Sequence, residues 1–331
     1  MVIPADDQSL VAVTEHYREL QKWSYIACPP PEITGLVLSK CSTLEVAQQC
    51  GLPIPKTRLI SSSAQLHELL PILPLPWVLK PSRKETRAEE IKCIILVTPD
   101  EVAARFPCAR DFAPPVLLQE YCAGVGVGIE VLLHHGECLA AFQHRRIKEF
   151  PYTGGISVTA IAEPVNQRLL ESSLALLRAL GWEGTAMVEY KINPDGRAIF
   201  MEVNGRYWGT LSLAVAAGMD FPLYQWKLLH GQRPEIPESY AVGTKWRFTM
   251  GYFTRLYSLL GQARYSPRAR KVLKESLAEM LADFNPSVSD ATFRLSDPMP
   301  SIVTFLRHLR YFVSNTMRAA LPSRFLRSPQ T

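Results

Sequence analysis

The sequence predicts a mixed α/β (α+β) chain of two lobes with a mainly helical C-terminal region. Three observations carry this. From Ser39, short apolar β-branched runs alternate with helix-period segments, the pattern of an α/β lobe. Two hairpin signals follow, His135-Gly136 and Asn193-Pro194-Asp195-Gly196. Beyond about Trp246 the periodicity is helical almost throughout.

The elements follow in order. Leu10 to Trp23 reads as a short helical stretch, and Pro29-Pro30-Pro31 as a loop. Ser39 is a helix N-cap, with the helix running to about Cys50, Gly51 at its stop, and Pro53 and Pro55 beyond. Thr57–Ile60 is a strand, Ser63–Leu70 a helix, Trp77–Lys80 a strand ended by Pro81, and Ile91–Val97 a strand. Pro99–Phe106 is a helix with proline in its first turn. A second lobe is expected to open with a strand at Val116–Tyr121, followed by the paired strands Gly128–His134 and Glu137–His144. Gln167–Leu180 is an amphipathic helix closed by Gly181. Thr185–Ile192 and Arg197–Val203 form the second hairpin, and helices follow at Thr210–Ala217 and Leu223–Leu229. The expected domains are 1–38, 39–113, 114–245 and 246–331.

Of 331 residues, 47% are hydrophobic and 20% charged, an ordinary globular composition with enough apolar material for a large core. The seven cysteines are scattered and form no Cys-x-x-Cys pair, which reads as reduced thiols in a cytoplasmic protein rather than zinc or disulfides. No apolar run is long enough to span a bilayer, and the first residues do not resemble a targeting segment. The net charge of +5 suits an anionic small ligand and does not point to nucleic acid. After Asp297 the chain carries Arg307, Arg310, Arg318, Arg324 and Arg327 and no acid. That segment reads as a solvated basic face, with an acidic partner or a membrane surface as its other use.

The chemistry concentrates at the second hairpin. Glu202 and Asn204, two apart on a strand, share a face. With a two- or four-residue turn, Glu189 joins them; a bulged three-residue turn reverses the parity. Two carboxylates and an amide oxygen on one patch repel unless a cation lies between them, and hard oxygen donors suit Mg²⁺, with Mn²⁺ as the alternate. Arg206, just before a helix, has the guanidinium fork that recognises phosphate. A solvated hairpin with ordinary salt bridges would use the same residue types. Lys80 ends an apolar strand. Gln119-Glu120-Tyr121 reads either as an interlobe hinge whose backbone meets a base or as an edge strand. Glu130, in an apolar strand, is expected to face solvent or a ligand such as a ribose. The basic run His144–Lys148 leads into the Gly154-Gly155 turn, a combination that binds anions.

In this order the features resemble the ATP-grasp superfamily of carboxylate–amine and carboxylate–thiol ligases. The likeness runs from about Ser39 to Gly231 and is most specific at Met201-Glu202-Val203-Asn204-Gly205-Arg206-Tyr207-Trp208-Gly209. It is most similar to bacterial members related to the carbamoyl-phosphate synthase large chain. The resemblance implies a two-lobed ATP-grasp fold with ATP and Mg²⁺ between the lobes. Lys40 and Lys80 would contact phosphates, with Lys80 reaching toward adenine as well. Gln119, Glu120 and Tyr121 would hold adenine, and Glu130 the ribose. Glu189, Glu202 and Asn204 would hold Mg²⁺, and Arg206 would stabilise the transferred phosphoryl group. Arg145, Arg146, Gly154 and Gly155 would face the acceptor or the phosphates, Arg146 in a catalytic role.

Three departures bear on that expectation. The family's N-terminal α/β domain is represented by some 35 residues. Ser39 rather than aspartate precedes Lys40. The segment after Lys80, Ser82-Arg83-Lys84-Glu85-Thr86-Arg87, is charged and lacks glycine. The expected activity is ligation of a carboxylate to an amine through an acylphosphate, the alternative being an ATP-binding scaffold that has lost catalysis. Neither His-Arg-Asp nor Asp-Phe-Gly is present, which argues against a protein kinase. A homodimer is allowed by the sequence without being indicated by it.

Overall fold

A computed structural model describes residues 1–69, 72–73, 75–84, 93–106 and 111–320, except the side chains of Glu101 and 311–320. The chain divides into two compact units, Met1–Arg146 with Ile161–Gly243, and Ile147–Ala160 with Thr244 onward.

The first unit opens with α1 (Asp7–Glu15), capped by the Asp6 carboxylate accepting from the Ser9 amide, and α2 (Tyr17–Leu20). The tri-proline segment expected as a loop instead starts α3 (Pro31–Leu38). Pro31 occupies the first turn, where its missing N–H leaves nothing unsatisfied. Ser39 caps α4 (Lys40–Gln49), and Gly51 adopts φ +76 just beyond its end.

A four-stranded sheet follows, in the order β1 (Thr57–Ser62), β4 (Asp111–Glu120), β2 (Trp77–Pro81), β3 (Ile94–Leu96). Trp77, Leu79 and Leu118 pack on its buried face against α5 (Ser63–Leu69) and α6 (Pro99–Arg105). The strand expected to open the second lobe is this β4, which pairs with both β1 and β2. Of the expected strand Ile91–Val97, Ile91 and Lys92 lie outside the described residues.

The second sheet of this unit runs antiparallel through β6 (Glu137–Phe150), β5 (Val125–His134), β8 (Gly184–Ile192) and β9 (Ala198–Asn204). His135 (φ 51) and Gly136 (φ 75) make the first hairpin turn. Val127, Ile129, Val131 and Val188 face α4 and α7 (Gln167–Ala179) in the main core, which leaves Gly128, Glu130, Glu189 and Glu202 on the opposite face. The basic segment after His144 does not leave the sheet: β6 continues to Phe150, and β7 (Ile156–Glu163) returns, a strand the sequence reading lacked. Its residues alternate only weakly in polarity, which hides the period. Helices α8 (Leu211–Ala216) and α9 (Phe221–Leu229) close the unit.

The second unit contains the hairpin end of β6 and β7, with β10 (Lys245–Arg247) lying parallel to the two-residue β11 (Ser289–Asp290). Its helices are α10 (Thr249–Gln262), α11 (Pro267–Ala278), α12 (Met280–Asp283) and α13 (Met299–Ala320). Val158, Tyr252, Leu259 and Ala269 form its core. Lys148, buried, pairs with Glu279 at 2.7 Å and with Asp283. Among the described residues, no helix is long and apolar enough to cross a membrane.

Candidate active site

The second hairpin brings the acids together by a route the sequence did not show. Its turn is a three-residue loop: the Asn193 and Arg197 backbones bond each other, and the Asn193 side chain accepts from the Arg197 amide. This sets Tyr190 opposite Phe200, a parity that by itself turns Glu202 away from Glu189. An extra residue at Met201 then bulges the strand and reverses the parity. Glu189 therefore stands directly opposite Glu202, and Met187 opposite Asn204.

Cations surround this patch. The Lys84 ammonium donates to the Asn204 Oδ1 at 3.0 Å and the Val203 carbonyl at 2.7 Å, and lies 4.0 Å from Glu202. Burial would raise the Glu202 carboxyl, but Lys84, then Lys40, Lys80 and Arg206, outweigh it and hold it well below the usual carboxylate range. Lys80, on β2, is pushed down by burial, with Glu202 pulling it back up. Lys40 opens α4 and is tied in place by its backbone, which donates to the Ser82 carbonyl. Among the described residues, neither the Lys40 nor the Lys80 ammonium has a hydrogen-bond partner. Arg146 donates to Glu189.

Arg206 is not a free fork. Its Nε and Nη2 donate to the two Asp7 oxygens at 3.1 and 3.0 Å, and Nη1 to the Tyr207 carbonyl. Asp7 also stands 3.8 Å from the Lys84 ammonium. Asp7 and Lys84 are thus central to the site; the sequence reading gave Asp7 no role and met Lys84 only as part of the charged segment after Lys80. For Lys84 the charged, glycine-free segment was a signal. For Asp7, 199 residues from Arg206, there was none.

Other expected positions need correction. Glu130 does not meet solvent: it is fully buried and pairs with the Nδ1 of His144, near Thr210. Its inward direction follows from strand alternation, because Gly128 beside it leaves space for the His144 ring. Glu130 Oε2 and His144 Nε2 have no partner among the described residues. Gln119 is buried and spends its amide on Thr57, whereas Glu120 ends β4, opposite Trp77 of β2, accepting weakly from the Lys56 amide. Tyr121 follows, its amide donating to the Pro76 carbonyl. Arg145 points to the opposite face from Arg146 and pairs with Glu163, as neighbours on one strand must. Gly154 and Gly155 form the β6–β7 turn of the second unit, where Gly154 has φ 126. Glu85, Thr86 and Arg87 lie outside the described residues.

The donors present fit a hard divalent cation. Two carboxylates and an amide oxygen are the right chemistry, and the ammonium resting on Asn204 and beside Glu202 shows that the patch accommodates positive charge. Among the described residues there is no cluster of three or more His, Cys, Asp or Glu side chains that could hold a metal, so an ion here would need further ligands beyond these side chains. Gly205 locks the patch to the core: a Cβ there would lie 2.3 Å from the buried Trp182 ring. Gly205→Ala is expected to destabilise the protein by about 1–3 kcal/mol, read as a lower urea midpoint at unchanged m-value.

Comparison with known proteins gives a consistent picture. Residues 112–250 match a family model described as ATP-grasp in the biosynthetic pathway with Ter operon. The chain is 24% identical to a D-alanine--D-alanine ligase of Pelotomaculum thermopropionicum over 213 residues, 57% of this chain and 66% of that one. It superposes on the ADP complex of an N5-carboxyaminoimidazole ribonucleotide synthetase with a TM-score of 0.57 at 18% identity, covering 74% of this chain and 68% of the other. The biotin carboxylase domain of Hydrogenobacter thermophilus 2-oxoglutarate carboxylase, solved with MgADP and bicarbonate, gives 0.55 at 17% identity, covering 71% and 55%. The matched part of the chain therefore spans 55% to 68% of the lengths of these relatives.

Proposed function

This chain carries the ATP-grasp fold, and on that premise we propose that it is an ATP- and Mg²⁺-dependent ligase joining a carboxylate to an amine. The observation that supports this best is the convergence of Lys40, Lys80, Lys84 and Arg206 on Glu202. Four cations around one carboxylate leave positive charge in excess, which suits a polyphosphate anion.

In this reading Lys40 and Lys80 bind ATP phosphates, and the β4 end at Glu120 and Tyr121 borders the base. Lys80 gains from a phosphate, since burial works against its charge in the free protein. Glu189, Glu202 and Asn204 hold Mg²⁺. When bound, the ion neutralises charge on the triphosphate. Arg206 exchanges the Asp7 carboxylate for the transferred phosphoryl group, a like-for-like swap of oxyanions. Arg146 holds Glu189 aimed at the patch. Glu130 and His144 act by packing beside it on the same face of the sheet rather than by touching ribose.

The substrate carboxylate attacks the γ-phosphorus, and the bond to ADP breaks. The amine then attacks the acyl carbon, losing a proton as phosphate departs. No protein nucleophile is required, because positioning and charge carry phosphoryl transfer.

The Lys84 and Asp7 contacts favour a second reading, a nucleotide-binding protein whose own ions fill the site. A screen for ADP release over amino acids and small carboxylates, with Mg²⁺, separates the two. Ligation predicts ADP release that requires both Mg²⁺ and a carboxylate. Calorimetric ATP binding with no ADP release across the panel supports the scaffold. Failure to bind ATP removes both.

A further inference from the structure

Surface helices ordinarily turn an apolar stripe inward and polar residues outward. Helix α13 does the reverse. The residues it turns toward the second unit are Ser301, Thr304 and His308, spaced three and four apart and only partly exposed. Ser301 donates to the Thr292 hydroxyl at 3.2 Å, and the His308 ring lies edge-on to Phe248. The outward arc is Met299, Ile302, Val303, Phe305, Leu306 and Leu309, each 42–57% exposed. Arg307 and Arg310 are exposed beside it.

We propose that this face of α13 docks on the surface of an anionic lipid bilayer. An apolar arc with Arg307 at its border and Arg310 within it is the composition of a helix lying in the membrane interface. The described arc, Met299 to Leu309, spans 11 residues, about 16 Å at 1.5 Å per residue, enough to lie flat on the headgroup layer. The helix is not apolar enough to cross, so the contact is peripheral. Charge selects the partner. From Pro298 onward the sequence holds five arginines and no acid. A second copy pairing through this face would set arginine against arginine with no carboxylate from the segment to relieve them. An acidic headgroup layer meets both the apolar arc and the guanidinium groups.

The test is co-sedimentation of the full chain with vesicles of phosphatidylcholine, alone or with about 30 mol% phosphatidylglycerol. Binding to the anionic vesicles is expected to exceed that to phosphatidylcholine by roughly tenfold, and to fall in about 0.5 M salt. Ile302→Asp with Leu306→Asp should abolish binding to both. Arg307→Gln with Arg310→Gln should remove only the preference for anionic lipid. All four side chains are exposed, so circular dichroism and thermal midpoints should not change. Three results would overturn the proposal. One is no sedimentation with either vesicle. Another is equal sedimentation of the wild type and the aspartate variant. The third is a solution dimer, seen by light scattering, that the aspartate variant dissociates, which would assign the face to a second copy.

Discussion

Glu202→Gln is expected to lower Mg²⁺-dependent ADP release by about a thousandfold or more while leaving the fold in place. The amide keeps the size of the side chain and removes the charge that Lys84, Lys40, Lys80 and Arg206 all face. Lys84 retains the Val203 carbonyl and the Asn204 oxygen, so the ligand-free site stays closed. The Glu202 side chain is 28% exposed, and the stability loss is accordingly about 1 kcal/mol. The pH dependence has a definite sign. The folded carboxyl titrates below its unfolded value of about 4.3, so its stabilising contribution is complete above that pH and is lost on acidification. Acid unfolding of the wild type should therefore be steeper below about pH 4.3 than that of Glu202→Gln. Near-normal ADP release by the variant would remove Glu202 from the metal site.

Lys84→Met is expected to tighten binding of Mg²⁺ alone by about tenfold to a hundredfold. In the ligand-free protein the ammonium occupies the oxygen patch, and any divalent cation must displace it. Removing a competitor raises apparent affinity by mass action, about 1.4 kcal/mol for each factor of ten. The variant loses something as well. Burial already disfavours the charged lysine, yet the Val203 carbonyl and Asn204 oxygen lose their donor, and ligand-free stability should fall by about 1–3 kcal/mol. Titration calorimetry with MgCl₂ and thermal midpoints with and without Mg²⁺ read both effects. Unchanged Mg²⁺ affinity with weaker ATP binding would instead make Lys84 a phosphate ligand.

The sequence reading recovered most elements because local signals agreed with the fold. Ser39 capped its helix, Gly51 and Gly181 ended theirs, and His135-Gly136 turned its hairpin. It lacked α3, because three prolines read as a loop while the third is suited to a first helical turn. It lacked β7, because the basic run near the end of β6 resembles a surface loop. It placed Glu130 toward a ligand because a lone acid in an apolar strand implies a partner, but cannot say which. The partner was His144, two strands' alternation and fourteen residues away.

What the sequence determined by itself was the chemistry of the patch: Glu189, Glu202, Asn204 and Arg206 are present whatever the register, and the run around them carries the resemblance to ATP-grasp ligases. Only the tertiary structure decided that they meet. The three-residue turn alone would have separated Glu189 from Glu202, and the bulge at Met201 reunites them. Only the tertiary structure brought Asp7 to Arg206 and Lys84 to Asn204. The physical reason is range. Caps, turns and strand alternation act over a few residues and are written locally. Strand register and long-range ion pairing are settled by which packing of the whole unit buries its core.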